Sequence, residues 1–337
     1  MTTLTLLILV ILAGLLFDFI NGFHDTANAI ATVVSTGVMR PRTAVLMAAA
    51  LNVFGALFGT AVASTVGRDT VDPAFVTQSM VLASLCSAIA WNLFTWYFGI
   101  PSSSSHALIG GLVGPAYAVA GARAIRSAGV EKMLTALLVS PLFGFLAAFF
   151  GMVILYWCLR RVSQSRVQHL FRKLQLASSA FMAFSHGGND AQKTMGAITM
   201  ALLAYEAGTR GGSPDGKFAV PSWVVIACAI AMGAGTACGG WRIIHTMGSK
   251  IFKLRPIHGC CAETSAALVI TGATHLGFPV STTHCITSAI MGAGATTRLS
   301  AVSWGVTRRI LWAWVLTIPM TAALGAALFW VFQQMGL

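Results

Sequence analysis

Almost the whole chain is written in apolar runs long enough to cross a lipid bilayer, and that feature removes most folds from consideration. A hydrocarbon core of about 30 Å takes about 20 mostly apolar residues in a helix. Such runs lie near residues 3–38, 43–66, 79–98, 101–122, 131–159, 177–203, 222–244, 259–277, 279–297 and 300–333. In lipid each backbone N–H and C=O needs a partner within the protein, which a helix supplies along its own length. The expected fold is an all-α polytopic membrane protein with roughly ten to twelve transmembrane segments. Composition agrees: 56% of the residues are hydrophobic and 9% are charged, where an ordinary soluble domain has about 25% charged residues.

A formal net charge of +12 would suggest nucleic acid in a soluble protein, but here the basic residues sit between apolar runs and report topology, so no nucleic-acid partner is expected. Segment 160–176 holds Arg160, Arg161, Arg166, Arg172 and Lys173 without an acid, and 245–257 holds Lys250, Lys253 and Arg255; both are expected on the cytoplasmic side. Segments 67–78 (Arg68, Asp69, Asp72) and 204–221 (Glu206, Arg210, Asp215, Lys217) carry little net charge and are expected outside, with the N-terminus. Arg123, Arg126 and Lys132 fit this scheme poorly. The opening run lacks a positive leading region and passes directly into a polar motif, so it is expected to stay in the mature protein. The seven cysteines have no metal-ligand spacing and read as packing residues.

Two motifs recur. Gly99-Ile-Pro-Ser-Ser-Ser-Ser-His106 matches Gly277-Phe-Pro-Val-Ser-Thr-Thr-His284, 178 residues on, and Pro141 pairs with Pro319 at that same distance. Asn21-Gly-Phe-His-Asp-Thr-Ala-Asn28 matches His186-Gly-Gly-Asn-Asp-Ala-Gln-Lys193, 165 residues on. The longer segment 204–221 accounts for the difference. The chain therefore divides into a first transmembrane repeat (1–159), a basic cytoplasmic linker (160–176) and a second repeat (177–337). Corresponding loops have opposite charge character, as expected of inverted repeats.

Four carboxylates, Asp18, Asp25, Asp190 and Glu263, fall inside apolar runs. Each costs from about 2.5 kcal/mol upward at the bilayer centre, which points to a functional path or a buried pair. Asp25 and Asp190 are repeat-related and suit cation coordination, with Asn28 and Asn189 beside them and helix breaks expected at Gly22, Gly187 and Gly188. The structural alternative is an internal pair such as Asp190 with Lys193. The two proline-hydroxyl strings read as re-entrant half-helices whose N-termini aim N–H groups and hydroxyls at one point, a clasp for an oxyanion; the plainer role is bonding to helix carbonyls. His106 and His284 fit either an anion contact or support of the hairpin.

Residues 22–29, 186–196 and the paired PSSSSH and PVSTTH strings closely resemble the inorganic phosphate transporter (PiT) family, over nearly the whole chain. The resemblance implies inverted repeats, each with a broken motif-bearing helix and a re-entrant hairpin. It implies a phosphate site at Ser103, Ser104, Ser105, Ser281, Thr282 and Thr283. It also implies cation sites at Asp25 and Asp190, with Asn28 and Asn189 and with sodium as the expected metal. His24, Lys193, Glu263, His106 and His284 are accessory candidates. His24 stands where the family signature has asparagine, which leaves sodium or proton coupling open. The implied protein is a symporter of the inner membrane, not an enzyme. It has no cofactor, only transported or coupling ions: phosphate, sodium or protons, and divalent metal complexed with phosphate. A sulfate permease of the same family, an anion channel and a homodimer stay open. A membrane serine hydrolase is disfavoured, because both hydroxyl strings are duplicated and no Gly-x-Ser-x-Gly turn is present. Two repeat-related aspartates predict two coupling cations and electrogenic uptake.

Overall fold

The computed structural model describes residues 2–210 and 218–337; Asp215 and Lys217 of the neutral segment lie outside the described residues. Every expected run is helical. The elements are α1 (Thr3–Ser35), α2 (Pro41–Ala56), α3 (Ala61–Asp69), α4 (Gln78–Tyr97), α5 (Ser104–Ala120), α6 (Ser127–Leu159), α7 (Gln164–Arg210), α8 (Ser222–Cys238), α9 (Trp241–His245, continued by a π turn to Lys250), α10 (Pro256–His275), α11 (Thr282–Ala295) and α12 (Trp304–Gln334). The protein is all-helical and multi-span. Among the described residues five helices are long and apolar enough to cross a membrane: α1, α4, α5 with its extension to Ala124, α6 and α12. The count is seven if α2 with α3, bent by 68°, and α8 with α9, bent by 62°, are each one broken span. By contrast α11 has 14 residues, about 21 Å of helix, which is too short to span. Helix α7 has 47 residues, about 70 Å, and residues 164–176 of the basic segment are its first turns rather than a loop.

The two hydroxyl strings begin with the same stop signal. Gly99 and Gly277 take φ of +65° and +70°, a conformation that costs a side-chain-bearing residue about 1–2 kcal/mol. Ile100 N–H then reaches back to Thr95 C=O (2.9 Å) and Phe278 N–H to Ala273 C=O (2.8 Å), closing α4 and α10 in the same six-residue loop. Pro101 and Pro279 follow. Ser103 and Ser281 then start α5 and α11 by accepting the N–H of His106 and His284, each at 3.2 Å.

The helix breaks expected at Gly22, Gly187 and Gly188 are absent: α1 and α7 run unbroken through them. No proline interrupts the ladder there, and the glycines serve close approach instead. A Cβ on Gly22 would collide with the Met232 carbonyl, and one on Gly187 with the Asn52 backbone. The breaks lie one element later, at 57–60 and 239–240. The α3 terminus exposed by the first break is capped from α7: Gln192 Oε1 accepts Val62 N–H at 2.8 Å, while the Gln192 amide donates to Gly188 C=O at 2.6 Å.

The halves pack by exchange. Helix α1 lies on α8 and α2 on α7, while α5 lies on α12 and α6 on α11. Each hairpin turn is also tied to the opposite half. Thr246 donates to Gly99 C=O at 2.8 Å and Thr65 to Gly277 C=O at 2.8 Å. At one end basic segments meet, where Arg172 donates to Gly37 C=O (3.2 Å) and Tyr156 pairs with His258 (2.9 Å). At the other, Val71 of the near-neutral segment 67–78 bridges Ile125, beside Arg123 and Arg126. Arg126, which the charge pattern left without a place, belongs to this second end, donating to Arg68 C=O at 3.2 Å and facing Asp72 at 3.9 Å. Apolar side chains such as Leu138 (75% exposed) and Trp157 (69%) cover the periphery, as lipid contact requires.

Gly187→Ala is expected to lower the thermal midpoint in detergent, with an overpacking cost of about 1–3 kcal/mol, whereas Gly208→Ala, on a helix and with a methyl that meets nothing within 4 Å, does not lower it and gains up to about 1 kcal/mol. Ser103→Ala and Ser281→Ala each remove one cap and are expected to cost about 1 kcal/mol in the same assay.

Candidate functional site

Once Ser103 and Ser281 have taken the third N–H of their helices, the N–H groups of Ser104, Ser105, Thr282 and Thr283 remain without an intrahelical partner. The positive ends of α5 and α11 converge there. His106 and His284 lie one turn deeper. Their ring centroids are 4.4 Å apart, and His284 stacks on Trp314 at 3.7 Å. Trp314 in turn donates to Pro101 C=O at 3.1 Å. The two histidines thus lie packed against one another where α5 and α11 meet.

The carboxylates face the same point from α1 and α7. One ligand atom each of Asp25, His186 and Asp190 lies within 4.8 Å of the others. Asp25 Oδ1 pairs with His24 Nδ1 at 2.6 Å, and His24 Nε2 meets the Thr95 hydroxyl at 3.0 Å. Asp25 Oδ2 accepts long contacts from Ser104 and Thr283, each 3.4 Å. Asp190 Oδ1 is held by the Lys193 ammonium. Its Oδ2 accepts from Thr282 at 2.9 Å, with His186 Nε2 at 3.2 Å. Asn28 donates to Thr282 (3.2 Å) and Thr283 (3.0 Å), so a first-half residue orients second-half hydroxyls. Lys193 donates to Ser105 (2.6 Å), the reverse arrangement.

Of the residues expected at the site, Asp25, Asn28, Asp190, Lys193, His24, Ser104, Ser105, Thr282 and Thr283 are brought together. Ser103 and Ser281 stand beside them as caps. Asn189 instead points to the second hairpin, donating to Thr274 at 2.7 Å. Glu263 forms a separate buried cluster with Thr32, Ser178 and Gln175. Thr32 lies two turns beyond Asp25 on α1, about 10 Å away. Asp18, two turns before Asp25, accepts from Thr194 at 3.0 Å. Sequence reasoning missed His186 and Asn52 as a pair (3.1 Å), along with Thr95 and Asn92, which donates to Ser104 at 3.2 Å. Asn52, Asn92 and Thr95 are lone polar residues in apolar helices whose partners lie 12 to 134 positions away in the sequence, and His186 reads only as part of the second motif, so no local pattern marks these pairs.

Asp25, Asp190 and the four hydroxyl residues are each 3% exposed or less. Helix-end N–H groups and hydroxyls suit an oxyanion there, and the carboxylate and amide oxygens beside them suit a hard cation.

The sequence pattern of the phosphate transporter family matches residues 21–325. A probable low-affinity inorganic phosphate transporter of Rhizobium meliloti is 50% identical over 322 residues, 95% of each chain. One of Bacillus subtilis is 46% identical over 333 residues, 98% of each chain. A solved structure, described as the sodium-dependent phosphate transporter, superposes with a TM-score of 0.87 at 24% identity, covering 98% of this chain and 99% of that one, so the two share a fold. On its motifs, its architecture and these relatives, the chain belongs to the phosphate transporter family.

Proposed function

We propose that the chain is a secondary active symporter that takes up inorganic phosphate with a cation, sodium or proton, by alternating access across the cell inner membrane. The observation that carries this reading is the convergence of two capped half-helix N-termini and four hydroxyls on a buried pair of carboxylates. Phosphate sits against the N–H groups of Ser104, Ser105, Thr282 and Thr283 and their hydroxyls, with Ser103 and Ser281 holding both helix starts. Carboxylates beside an anion site favour phosphate over sulfate: monovalent phosphate carries O–H groups that can donate to Asp25 and Asp190, and sulfate has none. The cation is held by Asp25 Oδ2, the Asn28 carbonyl and the neighbouring hydroxyls, next to Asp190. Sealing of the centre supports an occluded state. The exchanged packing supports two inverted repeats, 1–159 and 177–337, that rock about the site, with 160–176 on the cytoplasmic face.

The reading is tested with the purified chain in liposomes, measuring uptake of labelled phosphate and sulfate with and without sodium and pH gradients. Phosphate uptake driven by one of the cations is expected; uptake of sulfate in its place overturns the assignment. Asp25→Asn and Asp190→Asn are each expected to abolish concentrative uptake while leaving folded protein, and normal accumulation by both removes the carboxylates from the mechanism. Ser104→Ala with Thr282→Ala should weaken apparent phosphate affinity several-fold, at about 1 kcal/mol per hydroxyl, without abolishing transport, because the backbone donors remain.

A further inference from the structure

The two halves depart in charge at one repeat-related pair within the centre. At the spacing that relates Asp25 to Asp190, Asn28 corresponds to Lys193. Both side chains point into the centre, yet they do different things there. The Asn28 amide nitrogen orients Thr282 and Thr283, and its carbonyl oxygen has no hydrogen-bond partner among the described residues. Beside it Asp25 Oδ2 has only the two 3.4 Å hydroxyl contacts. These are oxygens arranged as acceptors.

Lys193 is 2% exposed, and its ammonium group donates to Asp190 Oδ1, to Ser105 Oγ at 2.6 Å and to Val280 C=O at 2.9 Å. An ammonium has three donors, and these partners account for all of them. The set is one carboxylate, one hydroxyl and one backbone carbonyl, drawn from α7, α5 and the turn before α11. Those are the ligand types that a hard alkali cation takes, supplied by the elements that build the site. We infer that the Lys193 ammonium is a tethered cation occupying the second of two repeat-related cation positions, so that a single exchangeable cation, held at Asp25, is coupled to each phosphate.

The charges agree. With the imidazoles neutral, Asp25, Asp190 and Lys193 sum to one negative charge, which one monovalent cation neutralises. Buried charge is costly enough in a membrane that such a balance is expected before the substrate enters or leaves. All three donors of a buried ammonium need partners in any role; here two of the three, Ser105 and the Val280 carbonyl, come from the elements that build the anion clasp. This inference rests on the symporter reading and revises the two-cation expectation drawn from the repeat. With one cation and monovalent phosphate the cycle moves no net charge.

The test uses the full chain in liposomes at acidic external pH, where monovalent phosphate dominates, with an imposed potassium diffusion potential. The wild-type protein is expected to show first-order activation by its driving cation and phosphate accumulation indifferent to potential. Lys193→Asn, which gives the second half the residue of the first, is expected to make activation second order and to let an inside-negative potential drive accumulation, by roughly fortyfold per 100 mV for one net charge. Wild-type accumulation that rises with inside-negative potential overturns the inference, as does an active Lys193→Asn protein with unchanged cation order and potential dependence. If Lys193→Asn is inactive, the wild-type potential measurement decides alone. Absence of phosphate uptake under every gradient overturns the symporter reading itself, and this inference with it.

Discussion

Two carboxylates held within a few ångströms of one another inside a membrane set the terms for the rest of the molecule. Ligand atoms of the two lie within 4.8 Å of each other, and at that limit, with an effective dielectric of about 20, two like charges repel by about 3 kcal/mol, on top of the cost of taking each out of water. What offsets this is dense donation: the Lys193 ammonium and Thr282 on Asp190, His24 with Ser104 and Thr283 on Asp25, and two helix N-termini directed at the same volume. To bring those donors there the chain stops two helices with left-handed glycines, restarts them at capping serines and passes α1 and α7 through glycine-sized gaps. The helix stops matter because an unbroken helix would present no free N–H group at this centre.

Much of this was written locally. A helix stop built from Gly99 and Pro101, a cap at Ser103 and hydroxyls just after it depend on neighbouring residues, so both helix restarts and the hydroxyls at their starts were readable before any fold was known. The pairing of Asp25 with Asp190 was legible because the repeat marks them. What escaped depends on tertiary packing. Gly22 and Gly187 read as helix breakers, yet glycine interrupts a helix only when nothing rewards continuity, and here close helix contact does. The true breaks lie at Leu57–Thr60 and at Gly239, and the first is supported by Gln192, more than a hundred residues away. Ser103 and Ser281 looked equivalent to the serines and threonines that follow them, and cap geometry separates them.

Lys193 illustrates a different limit. In one dimension it is an i,i+3 partner of Asp190, a common and weak helix pair. In three dimensions the same amine also meets Ser105 and the Val280 carbonyl, which turns a local pair into part of the binding centre. The repeat alignment sets it against Asn28, and the asymmetry of a near-symmetric protein is where its particular chemistry resides.

The crossed threonine ties have a mechanical meaning. Thr65 of the first half grips the turn of the second hairpin, and Thr246 of the second half grips the turn of the first. In the proposed alternating-access cycle, displacement of either turn strains the contact that the other half makes with it, so the two reciprocal hydroxyl contacts couple the movements of the halves.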